Sequence, residues 1–594
     1  MSSSKDNNRS VNSFILLSLA VVVGIFAGIG AVIFRGLIAL FHNILFLGQF
    51  SFSYNANIHT PESLWGWGVI FVPVLGALGV AFLVKNFAPE AKGHGVPEVI
   101  DAIYYNHGKI RPIVAVIKSL ASALSIGSGG AIGREGPIIQ IGASFASTLG
   151  QLFPLSNWQK FMLIAAGAAG GIAATFNTPV GGILFAIEII MVEISVRTLV
   201  PVAISTVIAT YIGRVFFGEH PSFIIPSLES HYFHLQNPFA IITYAGLGII
   251  LGVISAVYIK SIYSFEDFFD NHIPGNYYVK HMLGMLMVGI MIYILMINFG
   301  HYYVEGVGYS TVQDILSGVL TSLPVLLLLF LLKLLATSLT LGSGASGGIF
   351  SPSLFMGATL GGAYGIIINA IFPEINVHPA AFAVAGMAGM VASATGAVMT
   401  GIVMIFEMTL DYTVIIPLVI TVAIAYQIRY SILKPSIYTL KLIRRGHDLP
   451  ESLEANFPLL KRANKLMDKH FIKISPDLTT EKLFDLVKEN SNYKNFIVTE
   501  NDDIYGIITK EMILSSKLVS ENNQLTAKQL ADVRFLKVFE NEPLTIILPK
   551  LQKQKRYFVL VLSKNKINNS NKILGVITKE NLGESYIQSM ELVE

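Results

Sequence analysis

Long apolar tracts, separated by short polar or glycine-rich intervals, fill the first three quarters of the chain. The tract 14–34 is uncharged, is long enough to cross a membrane and ends at Arg35. We interpret it as a retained membrane helix, because it exceeds the core of a signal peptide and lacks a clear small-residue cleavage site. Further apolar tracts occupy positions 65–84, 112–133, 136–153, 161–187, 198–213, 239–259, 282–300, 315–332, 334–373, 376–406 and 413–428. Several of these tracts are longer than one span and are interrupted by glycine and proline, which predicts tilted or broken helices whose ends are buried in protein.

After Thr439 the pattern changes. Short alternating apolar runs, such as 496–498 and 504–508, stand beside amphipathic segments such as 480–488, and this combination predicts a soluble α/β tail. The predicted organisation is therefore an N-terminal tail, a membrane domain of two repeats, a charged linker and a tail of two similar halves. The corresponding ranges are 1–13, 14–439 (repeats at about 14–215 and 237–439), 440–465, and 466–594 (halves at about 466–520 and 525–594).

Composition agrees with a polytopic membrane protein. The chain has 594 residues, of which 53% are hydrophobic and only 13% are charged, whereas about a quarter of the residues of a soluble domain are charged. The absence of cysteine excludes disulfides and thiolate metal sites. The net charge of +3 arises from basic residues spread between loops and tail, and it does not indicate a nucleic-acid partner. A basic region at 434–445 and the hydrophilic tail favour a cytoplasmic C-terminus.

The segment 127–137, GSGGAIGREGP, places two charged residues inside uncharged sequence. Ionisable groups within a membrane segment are costly and mark a pathway or a site by default. Gly133 and Gly136 allow close backbone approach, and Pro137 suits the first turn of a helix. Backbone N–H groups and the positive end of that helix would then converge near Glu135, which is a geometry that attracts anions. The alternative interpretation is a structural ion pair between Arg134 and Glu135 at a tight turn.

A second copy of this pattern favours a site over a structural turn. The segment 342–352, GSGASGGIFSP, aligns with 127–137 at an offset of 215, and the alignment extends back to Lys118 and Lys333. A second block aligns at an offset of 219, where four pairs match: Gly167 with Gly386, Gly170 with Gly389, Gly182 with Gly401 and Glu188 with Glu407. Internal repeats with Gly/Pro-interrupted helices at corresponding places are typical of transporters and point to a binding site near the membrane midplane.

Four motifs make the membrane region resemble the CLC family of chloride channels and chloride/proton exchangers. They are GHGVP at 93–97, GREGP at 133–137, GIFSP at 348–352 and KPSIY at 434–438. The resemblance covers about residues 14–440. It implies an all-α fold with two inverted halves, a homodimer in which each subunit has its own pore, and helix N-termini that point at an anion near the bilayer centre.

The resemblance also implies roles for individual residues. Glu135 would be the gate, because its carboxylate competes with chloride and leaves when protonated. The remaining positions would surround the anion or shape its site: Ile349 and Phe350 through backbone N–H groups, Tyr438 through its hydroxyl, and His94, Gly95, Gly133, Arg134, Gly136 and Gly348. For Tyr438 the alternative is an aromatic residue at the membrane interface. Lys118 and Lys333 are expected to order the fold rather than to touch the ion.

Two positions depart from the family pattern. His94 stands where the family usually has a serine, and its ring could donate to the anion or point away from the pore. Ile189 stands where exchangers carry an internal proton-transferring glutamate, and isoleucine cannot carry a proton. Glu188 is the neighbouring acid, but adjacent helical residues point about 100° apart, so it need not face the same route.

The tail resembles a pair of CBS domains, because GIITKE at 506–511 recurs as GVITKE at 575–580. Such pairs often bind adenosine nucleotides through an acidic residue that contacts ribose. The corresponding positions are Met512 and Asn581, so a nucleotide is a weak expectation, and a gating scaffold without a ligand is the favoured alternative.

We therefore expect a multi-pass protein of the plasma (inner) membrane that moves chloride in exchange for protons, as a homodimer in contact with lipid; other small anions are further candidate substrates. A passive chloride channel is the close alternative, on the strength of Ile189. Two other classes are less favoured. An intramembrane enzyme would use Ser128 with His94, and a cation transporter would need more carboxylates than the apolar tracts contain.

Overall fold

The fold is described from a computed structural model of the chain. The residues that the structure describes are 11–191, 196–224, 239–374, 377–447, 463–490, 492–500, 503–519, 525–540, 542, 544–553, 556–563 and 572–584. They divide into two compact units, Met1–His447 and Asp448–Glu594. Most of the predicted N-terminal tail and the central part of the predicted linker lie outside the described residues.

Eight α-helices in the first half of the membrane unit lie within the part of the chain that the structure describes. The first helix extends beyond Arg35, where the apolar tract ends, because the guanidinium of Arg35 lies 4.2 Å from the centre of the Phe217 ring and is thereby accommodated. The helices are α1 Ser13–Leu47, α2 Val72–Phe87, α3 Val96–Tyr104, α4 Ile113–Gly127, α5 Glu135–Leu152, α6 Asn157–Phe176, α7 Pro179–Phe185 (continued by a π-helical turn, Ala186–Ile190) and α8 Val196–Phe217.

Nine α-helices of the second half lie among the described residues. The predicted tract 315–332 does not form one helix, because a proline near position 323 begins a new helix there. The bounds are α9 Phe239–Asn271, α10 Tyr277–Phe299, α11 Tyr309–Leu316, α12 Leu323–Ser343, α13 Phe350–Ile371, α14 Pro379–Thr395, α15 Val398–Thr409, α16 Ile415–Ile432 and α17 Ile437–Arg444. Because α17 continues to Arg444, the connecting segment begins later than the predicted boundary at 440.

Nine helical segments among the described residues are long and apolar enough to cross a membrane. Shorter apolar helices, including α4 and α15, accompany them. This mixture fits the prediction of broken helices whose ends are buried in protein rather than exposed to lipid.

Glycine contacts repeat between the two halves. A Cβ on Gly142 would stand 2.2 Å from the carbonyl oxygen of Gly167, and a Cβ on Gly357 would stand 2.3 Å from that of Gly386. The backbones of α5 and α6 thus approach each other about as closely as those of α13 and α14. In each half, a glycine from the block that aligns at an offset of 215 therefore packs against a glycine from the block that aligns at an offset of 219.

The tail unit contains two three-stranded sheets of the same design. In each sheet the first two strands are parallel and the last two are antiparallel, and a bulge interrupts the antiparallel pair. The elements are α18 Ala463–Leu466, β1 Phe471–Ile474, α19 Thr480–Glu489, β2 Asn495–Glu500, β3 Asp503–Thr509, α20 Lys510–Val519, α21 Ala527–Leu530, β4 Phe535–Phe539, α22 Leu544–Lys553, β5 Phe558–Ser563 and β6 Lys572–Ile577. The two GxITKE repeats begin within strands β3 and β6 and continue past the ends of these strands. The sheets and helices of this unit confirm the prediction of an α/β tail.

Candidate functional site

The two glycine-rich motifs are hydrogen-bonded to each other. The Gly133 N–H donates to the Gly348 carbonyl at 2.7 Å, and the Gly348 N–H donates back to the Gly133 carbonyl at 2.6 Å. This pairing brings the N-terminus of α5 beside that of α13. A Cβ on Gly136 would stand 2.1 Å from the His94 carbonyl oxygen. Only glycine at position 136 therefore allows the GHGVP motif at 93–97 to pack against the start of α5.

Glu135 is buried and points at the start of α13. Its side chain is 1% exposed. The carboxylate accepts hydrogen bonds from the Tyr309 hydroxyl at 2.7 Å, from the Ser351 backbone N–H at 3.3 Å and from the Ser351 hydroxyl. Both donor residues belong to the second half of the unit. The carboxylate thus occupies a position that a free anion could take, where helix N–H groups and hydroxyls converge.

Among the described residues no ion pair joins Arg134 to Glu135. The alternative of a structural ion pair is therefore wrong. Its guanidinium lies 5.2 Å from the centre of the Tyr309 ring and 5.9 Å from that of Phe176. The Nε atom is buried without a hydrogen-bond partner. The aromatic contacts hold the Arg134 guanidinium near Glu135. Its charge adds positive potential to the surroundings of Glu135.

Ile349 and Phe350 stand at the beginning of α13, and both are buried. The Tyr258 hydroxyl donates to the Ile349 carbonyl at 3.4 Å. Tyr438 lies in the first turn of α17 and is 3% exposed. This burial argues against the alternative of an aromatic residue at the membrane interface.

His94 is buried beside the site rather than in contact with Glu135. It is 3% exposed, and its Nδ1 atom has no hydrogen-bond partner. Its ring centre lies 6.2 Å from that of Tyr263, whose hydroxyl donates to the Ile437 carbonyl. Gly95, with a φ of 86°, starts α3. His94 is thus at the side of the site where α17 begins, with an unused ring nitrogen.

Two buried lysines hold the loops that carry the helix starts. The Lys118 ammonium donates to the carbonyls of Ala91 and Gly93 at 2.9 and 2.7 Å. Lys333 repeats this arrangement in the second half, where it donates to two carbonyls at 2.9 and 2.8 Å. Each ammonium satisfies backbone groups ahead of a short helix, and neither contacts Glu135 through a hydrogen bond. The geometry supports the predicted structural role.

Ile189 lies in the π-helical turn that follows α7, as does Glu188. The Glu188 carboxylate accepts from the backbone N–H groups of Met399 and Thr400, both at 2.8 Å. In the other direction, Glu407 accepts from the N–H groups at the start of α7, at 3.0 and 2.7 Å. Each glutamate therefore caps a helix of the opposite half. The Glu188 carboxylate is therefore engaged as a helix cap.

Tyr309 and Ser351 were not among the predicted site residues, yet both hold Glu135. Ser351 lies within the GIFSP motif, so the sequence indicated its position in the site but not its role in holding Glu135. Tyr309 follows GVG at 306–308, which aligns with GHG at 93–95 at an offset of 213. Extending the repeat backward from Lys333 would have indicated Tyr309 as the start of another helix.

The enzyme alternative finds no support in the geometry. The Ser128 hydroxyl donates to the Ser125 carbonyl at 3.2 Å, and no hydrogen bond joins it to His94 in the part of the chain that the structure describes. Within the same residues no group of three His, Cys, Asp or Glu side chains is placed to hold a metal ion.

Comparison with known proteins decides the family. Residues 74–430, which are more than half of the chain, match the profile of the family described as voltage gated chloride channel. The chain belongs to the CLC family. Residues 463–518 match the CBS domain profile, which confirms the resemblance of the tail.

Relatives of this CLC chain include both named functions. A putative chloride channel protein ClcB-like of Ralstonia nicotianae is 32% identical over 396 residues, which cover 66% of this chain and 89% of the relative. The H(+)/Cl(-) exchange transporter ClcA of Vibrio cholerae is 33% identical over 424 residues, which cover 70% and 86%. Among solved structures, a slow cyanobacterial Cl-/H+ antiporter is 25% identical with a TM-score of 0.61, covering 72% of this chain and 97% of that one.

In the tail, the two positions that would carry an acidic ribose ligand are engaged locally. The Met512 N–H donates to the Thr509 hydroxyl oxygen at 3.3 Å, and the Asn581 side-chain oxygen accepts from the Thr578 N–H at 2.9 Å. Both residues thus close the first turn of a helix. Nucleotide binding at the tail stays a prediction.

Proposed function

We propose that the chain exchanges chloride for protons across a membrane, with Glu135 as the gate. The observation that carries this proposal is the buried carboxylate held by Tyr309 and Ser351 at the start of α13. A carboxylate and a chloride ion compete for the same donors, because two negative charges at close range repel each other strongly. Protonation removes the charge of Glu135, weakens its hold on the donors and admits the anion. One group therefore couples proton uptake to anion entry.

The anion site that we propose extends from Glu135 toward Tyr438. Backbone N–H groups of Ile349 and Phe350 would donate to a dehydrated anion, and the Tyr438 hydroxyl would donate from the opposite side. The short backbone segments at Gly95, Gly133, Gly136 and Gly348 keep the helix starts close together. His94 and Arg134 would add a ring N–H donor and a positive potential, respectively.

A gated chloride channel is the second candidate, and Ile189 is the observation that favours it. An exchanger needs a proton route from Glu135 to the opposite side, and a hydrocarbon side chain at this position breaks the usual one. The acid next to it is engaged as a helix cap. In an exchanger, a chain of water molecules would have to replace the missing carboxylate.

The proposed assembly and location rest on the family resemblance of the sequence motifs and on the basic region and hydrophilic tail at the C-terminal end. We propose a homodimer in contact with lipid in the plasma (inner) membrane, with the CBS pair in the cytoplasm. The tail would act on transport as a regulatory scaffold. A nucleotide would bind it only if groups other than residues 512 and 581 contact ribose.

Proteoliposomes under opposed chloride and proton gradients test the function. We expect chloride flux to drive protons against their gradient, whereas a channel would give a chloride response unaffected by the pH gradient. Glu135→Gln is neutral at every pH, so it should keep anion flux and lose proton movement. Glu62→Gln, which makes the same change at an exposed acid, serves as the control. Proton coupling that survives in Glu135→Gln would end the proposed role of this residue.

A further inference from the structure

Arg429 is a buried cation near the end of α16, and the proposed function gives it no role. It is 1% exposed and is among the largest fully buried side chains of the described residues. Burying a guanidinium is costly unless hydrogen bonds satisfy its donors. The presence of an arginine at this place therefore needs a specific reason.

The guanidinium of Arg429 joins the ends of two helices. Its Nε atom donates to the Ser393 carbonyl at 2.6 Å, in the last turn of α14. Its Nη1 atom donates to the carbonyls of Leu433 and Lys434, at 3.2 and 2.9 Å, directly after α16. Carbonyl groups at the end of a helix have no partner within that helix, and a cation there also interacts favourably with the helix dipole. One side chain thus satisfies three carbonyls and fixes the chain where it leaves α16.

The segment that Arg429 fixes leads directly to Tyr438. Ser436 caps α17, because its hydroxyl oxygen accepts from the Thr439 backbone N–H at 3.3 Å. In return, the Ser436 backbone N–H donates to the Thr439 hydroxyl at 2.8 Å. Tyr438 lies inside the turn that this capping box closes. The place of its hydroxyl therefore depends on where residues 433–436 lie.

Close packing on the other sides leaves this segment little freedom. A Cβ on Gly396, which ends α14, would stand 3.3 Å from the Ser436 Cβ and 3.8 Å from the Arg429 Nη2 atom. From α9, the Tyr263 hydroxyl donates to the Ile437 carbonyl. Arg429 is the member of this set that carries a charge and holds two successive carbonyls of the segment.

A comparison of the two halves singles out Arg429. Helix α6 aligns with α14 at an offset of 219, which pairs Ala174 with Ser393. In the first half, Gly213 of α8 packs on this carbonyl, since a Cβ there would stand 2.7 Å from the Ala174 oxygen. In the second half, Arg429 of α16 donates to the equivalent carbonyl of Ser393. The contact is made by close backbone packing in the first half and by a guanidinium in the half in which Tyr438 follows.

We propose that Arg429 is a positioning residue for Tyr438. By fixing residues 433–436, it holds the Tyr438 hydroxyl where that group donates to chloride. The role in chloride binding rests on the proposed function, whereas the fixing of the turn does not. A hydrogen bond weakens steeply when its donor is misaligned. Loss of Arg429 should therefore weaken chloride binding, while Glu135 keeps its own partners and its coupling to protons.

A double-mutant cycle on the full-length chain in proteoliposomes tests whether Arg429 acts through Tyr438. Arg429→Met and Tyr438→Phe should each raise the half-saturating chloride concentration about tenfold at a similar maximal rate, the effect of about one hydrogen bond to an anion. In the Tyr438→Phe background, Arg429→Met should add nothing further, because both changes remove the same contact. An equal rise in both backgrounds would overturn the inference, as would a lower maximal rate at an unchanged half-saturating concentration.

Two further variants separate positioning from general damage. Arg429→Lys should recover most of the chloride affinity, since a buried ammonium can donate to two carbonyls, as that of Lys118 does. Arg214→Met makes the matched change in the last turn of α8, where the arginine is exposed and donates to the Asn177 side chain. This control should show the chloride dependence of the wild type.

Amide exchange tests the fixing of the turn without requiring transport. The N–H groups of Thr439 and Leu440 donate to Ser436, and in Arg429→Met they should exchange at least tenfold faster than in the wild type. Unchanged exchange would sink the inference. Faster exchange together with a Tyr438→Phe variant of normal chloride dependence would support the fixing of the turn and end the proposed role of the Tyr438 hydroxyl.

Ser436→Ala covers the case in which Arg429→Met does not fold. It removes the cap of α17 and leaves the contacts of Arg429 in place. We expect the half-saturating chloride concentration to rise about threefold, the effect of a weakened cap, and this rise to vanish in the Tyr438→Phe background. A rise of the same size in both backgrounds would show that the turn does not act through Tyr438, against the inference.

Discussion

Tyr309→Phe tests how tightly the gate is held in its closed position. The substitution removes one hydroxyl, which donates to the Glu135 carboxylate at 2.7 Å, and keeps the buried ring that faces Arg134. A hydrogen bond to a charged group contributes about 1.5–3 kcal/mol. Since Ser351 still donates twice, the carboxylate stays in place but competes less well with chloride. The expected gain for chloride is roughly 10- to 150-fold, at 1.4 kcal/mol per factor of ten.

The assay is the chloride dependence of initial flux in proteoliposomes at constant pH. We expect the half-saturating chloride concentration of Tyr309→Phe to fall at least tenfold, and proton coupling to persist because Glu135 is intact. Tyr364→Phe is the matched control, since it removes a hydroxyl that donates to the Thr243 carbonyl at 2.8 Å, away from the site. An unchanged chloride dependence in Tyr309→Phe would refute the idea that anion and carboxylate compete for these donors.

Three further substitutions test the scaffold and the tail. Lys333→Met strands two buried carbonyl groups, each worth about 1–3 kcal/mol, and should lower the thermal unfolding temperature in detergent clearly. Gly136→Ala puts a Cβ 2.1 Å from a backbone oxygen and should abolish chloride flux, whereas Gly30→Ala, with its nearest atom at 3.6 Å, should preserve it. In the tail, burial raises the pKa of Asp532, but hydrogen bonds and charge from Arg534 outweigh it and hold the pKa below its usual value. That pair therefore stabilises the fold above about pH 4 and loses its contribution at lower pH. Asp532→Asn should make the stability of the tail, measured by amide exchange, slightly less dependent on pH below about pH 4, because an exposed pair contributes little.

The sequence predicted those features of the site that depend on backbone geometry. Glycine is required at positions 133, 136 and 348 because two backbones meet there. The repetition of glycine in both halves therefore indicated a real contact. The paired lysines at 118 and 333 were likewise visible, because a charge in an apolar tract needs a specific reason. Pro137 also predicted the start of a helix, and α5 begins two residues before it, at Glu135.

Side-chain partners from distant parts of the chain were not predictable in the same way. Tyr309 lies 174 positions from Glu135, and no local pattern links the two. The ion pair between Arg134 and Glu135 was the alternative interpretation, and the structure instead places the guanidinium against aromatic rings of α6 and α11. Helix ends moved for the same reason: contacts such as that of Arg35 with Phe217 let a helix pass a charge at which the apolar tract stops.

The exchange of glutamate caps between the halves has a consequence for biogenesis. The first N–H groups of α7 are satisfied by Glu407, 227 residues later in the chain, while Glu188 completes the start of α15. A nascent chain therefore inserts its early helices well before their partner has been translated. Fragments divided between residues 224 and 239 would each keep an uncapped helix when produced alone, and co-expression of both should be needed to recover a stable product.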